Sequence, residues 1–235
     1  MAASSRSLDQ TLRQGLIVSC QAPVDSPLHD PFVIAAMAQA SVNQGAVGVR
    51  LDTPAHIQAV RRQCPTTPII GLWKQQLPAS EVYITPQFHH ASAVAAAGAD
   101  IIAIDATLRQ RPGGETVETL IARIHAELGK LVMADVDTIE SAIAAQKACA
   151  DFVATTLYGY TIPTKHLSGP GFNLLTQLVE QLHVPAICEG GIASPQMAQE
   201  ALQLGAYAVV VGTAITGIDL QVKAYQHAIS NTPIH

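Results

Sequence analysis

The chain has 235 residues, of which 49% are hydrophobic, 4% aromatic and 13% charged. That length suits one α/β barrel or one to two ordinary domains, with a core built from Ala, Val, Ile and Leu rather than from rings. A formal charge of −5 excludes a dedicated nucleic-acid surface, which needs a basic patch, but leaves room for a local cationic pocket.

The opening segment, Met1 to Gln10, lacks a charged stretch followed by an apolar one, so it is not a signal peptide. Residues 1–14 read as a helical or disordered extension, 15–230 as the main domain and 231–235 as a tail. No apolar run approaches the ~18 residues that span a bilayer. Cys20, Cys64, Cys149 and Cys188 lack the close pairing of a metal site and read as buried thiols in a reducing compartment, so a cytoplasmic location is expected.

The first apolar run, Gly-Leu-Ile-Val-Ser-Cys, leads to Gln21. Asp30-Pro31 then predicts a helix with an N-cap and a first-turn proline, closed by Gly45. Gly-Ala-Val-Gly-Val leads to Arg50, and Thr53-Pro54 opens a second helix in the same way. Pro-Ile-Ile-Gly-Leu-Trp leads to Lys74. The following stretch to Pro86 is long for a βα loop and holds a β-like piece, Val82-Tyr83-Ile84, that is expected to fold over the site. Ile-Ile-Ala-Ile leads to Asp105. From Thr116 to Leu128, apolar residues at Val117, Leu120, Ile121, Ile124 and Leu128 keep helical spacing.

Leu-Val-Met-Ala leads to Asp135, and Asp-Phe-Val-Ala to Thr155 and Thr156. Pro-Ala-Ile-Cys leads to Glu189. Ser194-Pro195 predicts a helix running to Gly205, and Tyr-Ala-Val-Val-Val leads to Gly212. Ile215 to Ile229 reads as a helix with apolar and polar faces, suited to packing on a partner subunit in a homodimer. Continuous apolar runs are the mark of parallel strands buried on both faces. Their ends recur every roughly 20–34 residues, the length of one βα unit. Eight such units predict a single (β/α)8 barrel, with chemistry at the C-terminal ends of its strands. The alternative, an open doubly wound sheet, lacks an early Gly-x-Gly-x-x-Gly.

Position then nominates the site. Lys74, at a strand end, becomes a general base or Schiff-base nucleophile if desolvation lowers its pKa; the alternative is a solvated loop lysine. Glu189 becomes a proton donor if burial raises its pKa; the alternative is simple charge pairing with Lys74. Gly190, Gly191, Gly212 and Thr213 follow the seventh and eighth strands, where (β/α)8 barrels often hold a phosphate on backbone N–H groups. Gln21, Arg50, Asp105, Asp135, Thr155 and Tyr160 are candidate substrate contacts, or charge balance and packing. The nine histidines show no metal-ligand spacing and read as surface or cap residues. No metal and no cofactor is expected.

At these residues the chain resembles the N-acylglucosamine-6-phosphate 2-epimerase family, also called the N-acetylmannosamine-6-phosphate 2-epimerases. The likeness is carried by Gly-Leu-Ile-Val-Ser-Cys-Gln at Gln21, Pro-Ile-Ile-Gly-Leu-Trp-Lys at Lys74 and Tyr-Ile-Thr-Pro at Tyr83 to Pro86. It continues through Thr-Thr-Leu-Tyr-Gly-Tyr-Thr at Thr155 to Thr161, Glu-Gly at Glu189, and Val-Gly-Thr-Ala-Ile-Thr at Val211 to Thr216. The resemblance implies a cofactor-free barrel acting on a 6-phosphorylated N-acetyl amino sugar. It implies Lys74 and Glu189 as catalytic residues, with Gln21, Arg50, Asp105 and Asp135 in support. The alternatives are a Schiff-base aldolase on a phosphorylated sugar acid and a non-catalytic phospho-sugar-binding barrel. Three basic positions of the family pattern are absent: Gln75 follows the lysine, Gly191 follows Glu-Gly, and Gly217 follows Ala-Ile-Thr. Gly217→Arg is therefore expected to restore phosphate affinity.

Overall fold

Each of the eight apolar runs forms a strand, because its side chains find cover on both faces: helices outside, other strands' side chains inside. A computed structural model describes Leu8 and residues 10–230. The strands are β1 (Leu16–Cys20), β2 (Gly48–Asp52), β3 (Ile69–Leu72), β4 (Ile101–Asp105), β5 (Leu131–Asp135), β6 (Phe152–Ala154), β7 (Ala186–Glu189) and β8 (Ala208–Val211). They pair in parallel in chain order and close between β8 and β1. Around them lie α1 (Pro31–Asn43), α2 (Pro54–Gln63), α3 (Phe88–Ala96), α4 (Val117–Arg123), α5 (Ile139–Lys147), α6 (Phe172–Gln181), α7 (Pro195–Gln203), α8 (Thr213–Thr216) and α9 (Ile218–Ser230).

The capping signals work as local chemistry requires. Asp30 accepts from the N–H groups of Phe32 at 2.8 Å and Val33 at 3.2 Å, and Ser194 accepts from Met197 at 3.2 Å. Thr116 and Thr119 cap α4 reciprocally before it passes into a π turn, Ile124–Leu128. Gly45 and Gly205 both take φ +95°, which a side chain would resist.

The alternation of the strands divides the core in two. Val18, Val49, Leu51, Ile102, Ile104, Val132 and Val209 face the helices. Ile17, Ile70, Leu72, Ile101, Ala103, Met133, Phe152 and Ile187 fill the barrel. Leu12, in the segment read as an extension, is fully buried in that inner cluster and plugs the strands' N-terminal end. The rest of that extension lies largely outside the described residues, as does the tail 231–235.

Four local expectations change. β2 runs two residues past Arg50, so the arginine lies inside the barrel rather than at a strand end. The C-terminal helix breaks at Gly217, leaving α9 without a buried residue. His56 and His90 are buried, not on the surface, and Cys149 is exposed while the other three cysteines are buried. Among the described residues no helix is long and apolar enough to cross a membrane.

Candidate active site

The inward parity of each strand carries one polar residue to the C-terminal mouth. Two residues beyond the last barrel-filling side chain come Lys74 after β3 and Glu189 at the end of β7; after β1 Ser19 comes at two and Gln21 at four, while Arg50 projects inward from mid-β2. They meet at a cavity of about 560 Å3.

The floor of this cavity is ionic. Arg50 is 1% exposed and Asp135 fully buried. The guanidinium grips Asp135 with two nitrogens, at 3.1 and 2.6 Å, and reaches Glu189 Oε2 at 2.9 Å. The Thr156 hydroxyl lies 2.7 Å from Asp135 Oδ1 and 3.1 Å from Glu189 Oε2. Burial raises the Glu189 pKa to about 7, Asp135 adding to the rise against the pull of Arg50, Thr156 and Lys74. One guanidinium cannot fully stabilise two carboxylates that also repel each other, so Glu189 is the group that holds a proton near neutrality.

Lys74 stands on the opposite wall. An antiparallel bridge to Ile84 fixes its backbone, with Gln75 N–H donating to Tyr83 O at 2.8 Å. Its own N–H donates to Asp52 at 2.9 Å. Thus the β-like piece does fold onto the mouth, bringing Tyr83 to the cavity wall. The Lys74 amine donates to Gln21 Oε1 at 2.5 Å, and Gln21 is oriented by its amide donating to Ser19 Oγ at 3.0 Å. Desolvation lowers the lysine's pKa, assisted by Arg50 and opposed by Asp52, Glu189 and Asp135. The side chain remains 44% exposed, so its amine is open to a ligand entering the mouth.

Of the residues nominated from sequence, Gln21, Arg50, Lys74, Tyr160, Glu189, Gly190, Gly191, Gly212 and Thr213 line the cavity. Asp135 lies beneath it as the partner of Arg50. Asp105 does not reach it: Thr107 and Arg109 of its own loop take both carboxylate oxygens, Arg109 at 2.6 Å. Thr155 also faces away, its hydroxyl bonded to the Glu189 backbone at 2.8 and 3.0 Å. The residue in its place is Thr156, one position on and of inward parity. Ser19, Tyr83, Ile192 and Gln221 are further cavity residues that strand ends alone did not indicate.

At two of the three missing basic positions a side chain finds no room. Gly191 has φ +71°, and a Cβ there would lie 2.6 Å from Gly169 C and 2.8 Å from Pro170 N. At Gly217 a Cβ would lie 2.7 Å from Thr213 Cα and 2.9 Å from its carbonyl oxygen. Backbone occupies both spaces, so arginine at 217 displaces the first turn of α8 instead of simply adding charge. The expectation that Gly217→Arg restores phosphate affinity is corrected accordingly.

An amine and a carboxyl group with converging pKa values, facing one cavity at the strands' C-terminal ends, define an acid–base (β/α)8 barrel. The family model described as "NanE: Putative N-acetylmannosamine-6-phosphate epimerase" matches residues 34–231. A Thermosynechococcus vestitus protein bearing the equivalent 2-epimerase name is 64% identical over 224 residues, covering 95% of this chain and 97% of the relative. One from Synechococcus elongatus is 61% identical over 223 residues, covering 94% and 96%. The structure of the Clostridium perfringens N-acetylmannosamine-6-phosphate 2-epimerase superposes with a TM-score of 0.90 at 40% identity, covering 94% of this chain and 96% of that one. The chain belongs to the N-acetylmannosamine-6-phosphate epimerase family.

Proposed function

We propose that this protein is an isomerase that interconverts N-acetylmannosamine 6-phosphate and N-acetylglucosamine 6-phosphate at C2, with Lys74 as base and Glu189 as acid. The observation that carries the reading is the pair itself: a lysine lowered and a glutamate raised, on facing walls of one cavity.

The chemistry needs only proton transfers. The C2 hydrogen becomes acidic when the ring opens and C1 becomes an aldehyde. Glu189 donates its proton to the ring oxygen as the C1 hydroxyl releases its own to solvent water in the open mouth, opening the hemiacetal. Neutral Lys74 takes the C2 proton, its amine directed by Gln21. Reprotonation from the opposite face of C2 inverts the centre.

The phosphate end of this reading is backbone. Gly190 and Gly191 hold φ +98° and +71°, and the first N–H groups of α8 have no partner within the helix. Arg50 is committed to Asp135 and Glu189, so it orders the acid rather than binding phosphate. A homodimer belongs to the same proposal: α9 leaves Ile218, Val222, Tyr225 and Ile229, which share one face at helical spacing, more than half exposed, a face that a second copy would cover. So does a reducing, cytoplasmic setting, in which Cys20, Cys64, Cys149 and Cys188 stay free thiols.

Incubation with N-acetylmannosamine 6-phosphate in D2O tests the reading. Deuterium at C2 of the product is expected. An adduct on Lys74 trapped by borohydride would instead mean an aldolase, and thermal stabilisation without turnover a binding barrel.

A further inference from the structure

The Thr156 hydroxyl lies within bonding distance of two carboxylates, Asp135 at 2.7 Å and Glu189 at 3.1 Å. A hydroxyl carries one proton and donates one strong bond at a time. The two carboxylates compete for that proton, and Asp135 is the nearer acceptor. Asp135 already receives two nitrogens of Arg50, whereas Glu189 Oε2 receives one. Glu189 Oε1 has no protein donor among the described residues. Asp135 therefore stays paired with Arg50 whether or not Thr156 bonds it, while Glu189, once ionised, needs a second donor. The other charged groups facing Glu189 are Arg50 from β2, Asp135 from β5 and Lys74 beyond β3.

We infer that Thr156 is a positioning residue whose hydroxyl turns from Asp135 to Glu189 when Glu189 gives up its proton, and turns back when the proton returns. No Thr156 bond is broken. The Glu189 O–H bond breaks and the ring-oxygen O–H bond forms, while the threonine proton only changes acceptor. The hydroxyl thus supports the carboxylate that ring opening creates and withholds that bond from the resting acid, which is stabilisation selective for the later state. The inference rests on the acid role proposed for Glu189.

Thr156→Val removes the hydroxyl and keeps the shape; Thr156→Ser keeps the hydroxyl. In protein carrying 13C in its glutamate carboxyl carbons, with Glu189→Gln identifying the resonance, the Glu189 titration midpoint is expected to rise by about half a pH unit or more in the valine variant, and to return in the serine variant. With N-acetylmannosamine 6-phosphate, kcat is expected to fall about tenfold or more in the valine variant with KM within about twofold, serine recovering most of it. If the valine variant does not fold, Thr156→Ala is read in the same way. A midpoint that does not move overturns the proposal, as does an unchanged kcat in a variant of an active enzyme. A wild type that does not epimerise overturns the functional reading instead, and the titration still decides the role of Thr156.

Discussion

Replacing Arg50 with methionine tests the organisation of the cavity floor. The substitution keeps most of the apolar stem and removes the charge that holds two carboxylates, one of them fully buried. Breaking a buried ion pair from one side costs about 3–5 kcal/mol, because the abandoned charge has neither partner nor water. In a chain of this size that lowers Tm by roughly 6–20 °C. The loss has a pH signature. Without Arg50, burial raises Glu189 against only Thr156 and Lys74, so its folded pKa stands further above its unfolded one. Its contribution is then intact at low pH and is lost as pH rises through the folded value. The variant should therefore be most damaged at alkaline pH and recover as Glu189 protonates. Adding Asp135→Asn should return at least half of the loss, since the two changes act on one network. Urea unfolding followed by circular dichroism at about pH 8 and about pH 5 measures this. A loss below about 1 kcal/mol at the higher pH, or an equal loss at both, would refute the claim that Arg50 neutralises this floor.

Three further outcomes are expected. Lys74→Ala should lower kcat by about two to four orders of magnitude while leaving Tm within a few degrees, because the side chain is 44% exposed; near-normal turnover removes it as the base. Wild-type stability should decline between about pH 4.5 and about 7 as Glu189, raised by burial, is forced to ionise in the fold; Glu189→Gln should flatten that slope and abolish ring opening, and an unchanged slope would mean that Glu189 is not the titrating group. Gly217→Arg should weaken phosphate binding, measured calorimetrically, because its Cβ meets Thr213 backbone at 2.7 Å; tighter binding would show that α8 yields freely.

The barrel was legible because buried parallel strands leave so little choice of residue, and because Asp30-Pro31, Thr53-Pro54 and Ser194-Pro195 mark helix starts by their own hydrogen bonding. The site was legible where a strand end and inward parity coincide, as at Lys74 and Glu189. It was not where they part. Asp105 ends its strand facing inward, yet Arg109 lies one helical-turn spacing further on and takes its carboxylate at 2.6 Å. Thr155 is the first polar residue after β6, but the pleat turns it toward the Glu189 backbone and presents Thr156 to the cavity. Applying the period of two past each strand would have exchanged those threonines and added Ser19. Gly217 was legible but passed over: it is the C-cap of α8, its N–H donating to Thr213 O at 3.2 Å, a short-range helix stop that the continuous helical reading of Ile215 to Ile229 ran through.

The absent basic residues and the buried arginine bear on one another. A cation at 191 would occupy the space that Gly169 and Pro170 fill, and their loop belongs to the same βα connection that presents Thr156. The packing that leaves no room for a phosphate-binding side chain thus helps to close the wall beside the proton donor. The cavity's fixed cationic side chains are then Arg50 and Lys74. Arg50 is held by Asp135 and Glu189, and the base proposed at Lys74 works only when uncharged. On the reading proposed above, the substrate's phosphate is met by oriented N–H dipoles rather than by net charge. Such an arrangement keeps a free cation away from Lys74, whose amine must lose its proton to work, and from Glu189, which a nearby cation would hold ionised. Stronger phosphate binding by added positive charge would act against both halves of the acid–base pair.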